Sequence, residues 1–221
     1  KALTKIEIGG SVNLEIKNYY DKTTKGFSKR VGLTECEKLN TIELAYGITK
    51  IRSWAFCGCE ALTNIKIPYS VNKIEERAFE GCKELTNIKI PNSVTGIGSS
   101  AFEGCTALKN IEIPNSVTKI EDNTFWKCTK LTNIKIPYSV TEIGNYAFKG
   151  CIALTNIEIP NYVTKLGIGT LEGCKALKYN EYDNVAYLGN KENPYVLLIK
   201  GKSKDITSCT IKETCKYIGE R

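Results

Sequence analysis

The stretch Leu62–Cys82 reads LTNIKIPYSVNKIEERAFEGC, and the chain repeats it. Its closing cysteine recurs every 23 residues, at Cys59, Cys82, Cys105, Cys128, Cys151 and Cys174. A leucine stands three places after each, at Leu62, Leu85, Leu108, Leu131, Leu154 and Leu177. Cys36 and Leu39 extend both series one step toward the N-terminus. A fixed period in the twenties means one supersecondary unit stacked on copies of itself. Each coil of such a stack touches only its neighbours. Residues 1–221 are therefore expected to form a single repeat solenoid rather than separate cores.

Within one coil, Leu62, Ile65 and Ile67 point inward along a short strand, and Ile-Lys-Ile is its period-two signal. Pro68 stops the strand because it has no N–H for a ladder. Val71 and Ile74 suit a second short extended or turning segment on the opposite side. Ala78, Phe79 and Cys82 fit one turn of helix or 3₁₀ helix, with Gly81 supplying a positive φ at its end. Phenylalanine recurs at Phe56, Phe79, Phe102, Phe125 and Phe148, and Leu171 closes that column. Glycine recurs at Gly58, Gly81, Gly104, Gly150 and Gly173, interrupted by Lys127. Parallel strands lie about 4.8 Å apart, so identical residues should form internal ladders with offset-stacked rings. Burying one phenylalanine contributes roughly 1.5–3 kcal/mol. Ordering costs about 1–2 kcal/mol per residue, so only stacking makes the core sufficient.

These residues resemble the BspA-type leucine-rich repeat family, whose unit is similar to L-x-x-I-x-I-P-x-S-V-x-x-I-x-x-x-A-F-x-x-C. LTNIKIPYSVNKIEERAFEGC and LTNIKIPYSVTEIGNYAFKGC carry the match. The resemblance implies a curved or twisted solenoid with short parallel strands on one face. It also implies a place on, or shedding from, the surface of bacteria and mucosal protists. The implied role is adhesion to a protein partner, such as an extracellular-matrix or host surface protein.

The bulk composition fits that reading. With 42% hydrophobic and 25% charged residues the chain has a soluble globular make-up. No apolar run approaches the roughly 18 residues of a membrane span, so no membrane insertion is expected. No charged-then-apolar leader follows Lys1, so an export signal would already have been removed. The net charge of +7 comes from dispersed lysines, which favours acidic partners weakly and does not mark a nucleic-acid binder. Histidine is absent, which excludes Ser-His and Cys-His nucleophile pairs and histidine metal sites. No glycine-rich phosphate loop or convergent carboxylate set appears. The chain reads as a non-enzymatic monomer with no cofactor, no metal and no catalytic residues.

Three segments depart from the unit. Ile6 and Ile8 match Ile42 and Leu44 at a distance of 36, so extra polar material lies within Asn13–Lys29, read as a surface insertion. The segment from about 182 to 200 alternates around Gly189–Asn193 and reads as an inserted β-hairpin. In the partial repeat 205–221, Ile211, Cys215 and Ile218 re-enter the register of Ile136, Val140 and Ile143. The break at Glu220-Arg221 suggests a fragment of a longer repeat protein.

The repeat cysteines point the same way from successive coils, with Cβ atoms near the coil spacing of about 4.8 Å. A disulfide needs about 3.5–4.5 Å, so buried free thiols are expected. Cys209 and Cys215 are also placed inside by register. Cys57, whose register mates are Glu80, Glu103, Trp126, Lys149 and Glu172, is placed outside.

Surface columns supply the candidate site. The outward strand residue runs Glu7, Glu43, Lys66, Lys89, Glu112, Lys135, Glu158. Lys66 beside Lys89 is the like-charged step, and so the place for an acidic partner. Tyr69 and Tyr138 follow their strands at positions where sister coils carry asparagine, and exposed tyrosines anchor interfaces. Trp126 replaces a charged register mate and is expected at the surface. Lys66, Lys89, Tyr69, Tyr138 and Trp126 are the candidate partner-binding residues. Two other readings stay open: a rigid spacer carrying another domain, and a carbohydrate-binding surface built on the tyrosines.

Overall fold

The computed structural model describes residues 5–8, 16–21, 26–31, 38–44, 46–201, 203 and 205–218. Main strands Thr41–Leu44, Asn64–Lys66, Asn87–Ile88, Asn110–Glu112, Asn133–Lys135 and Asn156–Glu158 contribute one per coil. They run parallel in the register of the repeat, with Ile42 opposite Ile65, Ile111 opposite Ile134 and Ile134 opposite Ile157. Lys5–Ile8 pairs at the N-terminal edge with Ile6 opposite Ile42, as the 36-residue interval requires. Second strands of two residues, from Lys50–Ile51 to Lys165–Leu166, pair in parallel on another side of the coil. Ladder pairing is interrupted between Asn64–Lys66 and Asn87–Ile88 on the main side, and between Gly96–Ile97 and Lys119–Ile120 on the second.

One buried cluster runs from Leu39 to Leu197. Its phenylalanines stack as the column predicts, with centroids 5.4, 5.4, 5.7 and 5.4 Å apart from Phe56 to Phe148. The repeat cysteines Cys82, Cys105, Cys128, Cys151 and Cys174 are buried and unpaired. Their thiols take a role the sequence reading missed. Each donates to the phenylalanine carbonyl of the preceding coil, as Cys105 Sγ does to Phe79 O at 3.1 Å and Cys128 Sγ to Phe102 O at 3.1 Å. Burial pushes these thiols up, Cys174 to about 11.

The corner AFxGC is a turn; among the described residues no helix forms, contrary to the sequence expectation. Arg77 and Gly81 both have positive φ, 54° and 71°, which leaves three residues between two left-handed positions. Alternate corner N–H groups also point along the stack, while those between them, Glu80 and Cys82, bond back three residues to Arg77 O and Phe79 O. Phe79 N–H donates to Ala101 O at 2.8 Å and Gly81 N–H to Glu103 O at 2.7 Å. A helix would need those donors for its own i−4 carbonyls.

Other details are added or changed. The surface insertion holds an antiparallel hairpin, Ile16–Asp21 paired with Gly26–Val31. Cys57 is buried, not exposed, with its Sγ 3.7 Å from Glu80 Oε2 of the next coil. Cys209 is exposed and Cys215 half-buried, so neither is fully interior. Ile211 and Ile218 are exposed at 45% and 66%. The cause is the hairpin Val185–Leu188 and Leu197–Gly201, which occupies the place of the next coil. Ile159 N–H donates to Gly189 O, and Val196 O receives Lys216 and Tyr217 N–H. Strand Tyr217–Ile218 consequently pairs with Leu197–Leu198. The expectations for Cys36 and Glu220-Arg221 lie outside the described residues.

Candidate binding surface

From Ile67-Pro68 to Ile136-Pro137 a buried or half-buried Ile-Pro pair closes the strand side, and the residue after it faces solvent, as Tyr46 does at the same repeat position. Tyr46, Tyr69, Asn92, Asn115 and Tyr138 occupy that place in successive coils. Tyr69 is 71% exposed and Tyr138 56% exposed. Between them the shorter Asn92 and Asn115 leave the surface low. Two adjoining concavities fill the gap, of about 480 and 310 Å³, and they share Ile90, Asn92 and Glu112. Tyr69 and Lys89 line the first, over Pro91. Lys135 and Pro114 line the second. Three coil steps separate the tyrosine positions, about 14 Å at the usual strand spacing.

The structure thus joins Tyr69 to Lys89. The step between their coils is also where main-strand pairing is interrupted. Lys66 stands apart from them. Its ammonium turns back to Glu43 Oε1 at 2.7 Å, and that hydrogen bond, with the charge of Glu43, raises its pKa. The expectation that Lys66 shares with Lys89 an open place for an acidic partner is therefore corrected: a carboxylate from the preceding coil already neutralises Lys66. Lys89 is exposed, and no ion pair to it occurs among the described residues. Register neighbours Glu112, Lys135 and Glu158 alternate in sign, yet form no ion pair with one another among the described residues.

Tyr138 follows Pro137, which lines the far end, and meets the Tyr162 ring edge-on at 6.5 Å. Trp126 lies away from the groove, on the AFxGC corner. It is half-buried rather than exposed, with the ammonium groups of Lys127 and Lys149 at 4.9 and 6.0 Å from its ring. Two lysine stems cover what the sequence placed in water. The asparagine column Asn64, Asn87, Asn110, Asn133, Asn156 is exposed. Among the described residues no side-chain bonds run along it; Asn87 Nδ2 donates instead to Thr86 Oγ1 at 3.4 Å. Threonines do run along the stack: Thr132 Oγ1 donates to Lys109 O and Thr155 Oγ1 to Thr132 O. Among the described residues no group of three or more metal-ligating side chains occurs, and no helix is long and apolar enough to cross a membrane.

The family model for the BspA type leucine rich repeat region matches residues 32–151 and 118–193, in six copies. The chain belongs to the BspA-type leucine-rich repeat family. Among solved structures, this BspA-type chain is similar to the leucine-rich repeat protein of T. pallidum, at 26% identity and a TM-score of 0.64. The alignment covers 78% of this chain and 72% of that one. A leucine-rich repeat protein from Bacteroides ovatus shares the fold at 23% identity and TM-score 0.56, over 97% of this chain and 60% of that one. A leucine rich cell surface protein from Faecalibacterium prausnitzii aligns at 25% identity and TM-score 0.41, over 65% of this chain and 59% of that one. The BspA-type chain thus spans about three fifths of the length of two of these three proteins. Among curated proteins, no sequence matches it.

Proposed function

We propose that this chain is a non-enzymatic protein-binding segment of an exported or surface-displayed BspA-type protein. In this reading residues 1–221 act as one solenoid that presents the strip from Tyr69 to Tyr138 to its partner. The observation that carries it is the convergence of Tyr69 and Lys89, from neighbouring coils, on one concavity. A large ring beside an unpaired ammonium suits a partner segment carrying a carboxylate next to apolar surface. Asn92 and Asn115 add amide donors and acceptors on the groove floor. Family membership supports a surface location and an adhesive role.

The test is capture of extracellular-matrix and epithelial surface proteins by the purified chain. Lys89→Glu and Tyr69→Ala should each weaken capture at least about thirtyfold, the weight of a hot-spot residue. Lys66→Glu should weaken it less, because Glu43 already neutralises that ammonium. Equal capture by all forms would remove the groove as the site. Binding that is confined to glycans and is lost on Tyr69→Ala would replace the protein partner with a carbohydrate.

A further inference from the structure

After the C-terminal hairpin, residues 205–214 run as a largely exposed strap. From Thr207 to Thr214 the one residue that is not exposed is Lys212. Its neighbour Ile211 is 45% exposed. Between the half-buried Ile206 and Cys215, the middle of the strap docks through its lysine and leaves Ile211 in water, which inverts the usual order of burial. The cause is aromatic. Lys212 Nζ lies 3.7 Å from the centroid of the Tyr182 ring and 5.4 Å from that of Tyr195. The two rings stand 6.0 Å apart at 63°. Tyr187, fully buried, backs Tyr195 edge-on at 5.3 Å and fixes that wall. Two ring faces converging on one ammonium form a cation site by quadrupole attraction.

We propose that the clamp of Tyr182 and Tyr195 is a recognition site for lysine side chains of a partner protein, occupied here in cis by Lys212. A lysine is the ligand the clamp visibly holds, its primary ammonium seated over Tyr182 in the corner that the two rings make. The strap can yield its place. Its nearby polar ties, Thr210 N–H to Asp183 Oδ2 at 2.6 Å and Asn193 Nδ2 to Thr214 O at 2.9 Å, are exposed, where water competes for the same groups. No residue is shared with the Tyr69–Lys89 groove, so either reading can fail while the other stands.

The test is NMR titration of the full chain with n-butylammonium chloride, using tetramethylammonium chloride as comparison. In the wild type the Lys212 methylene protons should be shifted upfield by the ring currents, and should return toward ordinary positions as n-butylammonium displaces the side chain. Lys212→Gln should bind n-butylammonium at least about tenfold more tightly than wild type, the factor by which a tethered competitor that fills the clamp about nine-tenths of the time weakens a free ligand. Lys212→Gln combined with Tyr182→Ala should lose saturable binding. Three results would each overturn the proposal. They are unshifted Lys212 methylenes in the wild type, the same non-saturating response in Lys212→Gln and the double variant, and a preference for tetramethylammonium, which would reassign the site to quaternary ammonium groups. If Lys212→Gln unfolds the hairpin, the wild-type displacement decides alone.

Discussion

Lys127 holds the backbone slot that glycine fills in the neighbouring coils, and its φ of 59° is close to theirs. A left-handed conformation costs a non-glycine residue roughly 1–2 kcal/mol. Lys127→Gly should therefore raise unfolding stability by about 1 kcal/mol in a denaturant titration, less what the ammonium gains over the Trp126 ring. Gly104→Ala is the reverse case. An added Cβ would sit 3.7 Å from Gly81 Cα, an ordinary contact, so its cost of about 1 kcal/mol is torsional. The glycine column was legible in the sequence because glycine announces that freedom. The companion column Trp54, Arg77, Ser100, Asn123 and Tyr146 was not, although its φ values run from 54° to 65°. Those five side chains share no chemistry. The position asks only for a backbone angle, and the letters do not report it. Cys57 failed for a related reason: its register mates are mostly charged, yet here a small thiol fits beneath the Glu80 carboxylate.

At the scale of the coil, the phenylalanine and cysteine columns do separate jobs. Phe102 stacks on both neighbours, at 5.4 and 5.7 Å, so Phe102→Ala should cost about 3–5 kcal/mol by opening a cavity in the ring column. Cys105→Ala should cost only about 1 kcal/mol, because Phe79 O keeps the Cys82 N–H donor when the Cys105 thiol is removed. Denaturant midpoints of the two variants separate the two effects. The strands were legible from Ile-Lys-Ile followed by proline. The corner was misread as helical because Ala-Phe-x-Gly-Cys has helical spacing, while every second donor is committed to the next coil. The groove was half legible. The alternation of tyrosine with asparagine after the strands is plain in the letters, but a groove is a difference in side-chain height between adjacent coils. Tyr69 becomes a wall only when Asn92 stands beside it.

Across the whole molecule, the buried thiols set an alkaline limit. Cys82, Cys105, Cys128, Cys151 and Cys174 are all raised above the ordinary 9.0 by burial. The folded state therefore holds thiol protons that the unfolded chain releases, and stability falls as pH rises above 9.0. Each thiol costs about 1.4 kcal/mol per pH unit until its folded pKa is reached, about 11 for Cys174. Cooperative unfolding should set in within pH 9–11, and should move upward in a variant with Cys105 and Cys128 changed to alanine. At pH 8, a thiol reagent should modify Cys209 readily and leave Cys105 and Cys128 untouched unless the chain unfolds. The solenoid was legible at this scale because its period is strict. The C-terminal hairpin was legible too, from the alternation around Gly189–Asn193, but the partial repeat after it was not, because the hairpin took the seat of a coil and left Ile211 and Ile218 outside. Bonds between coils run in both directions: Thr63 N–H reaches back to Asn40 O, while Phe56 N–H reaches forward to Ala78 O. A genetic duplication or excision of one 23-residue block thus returns an intact seam, with every donor meeting a new acceptor. Excising Leu108–Lys130 would bring Leu131 to the place of Leu108 and shorten the distance from Tyr69 to Tyr138 by one step. Recombination can therefore set the reach of this surface in increments of a single turn, as links are added to or taken from a measuring chain.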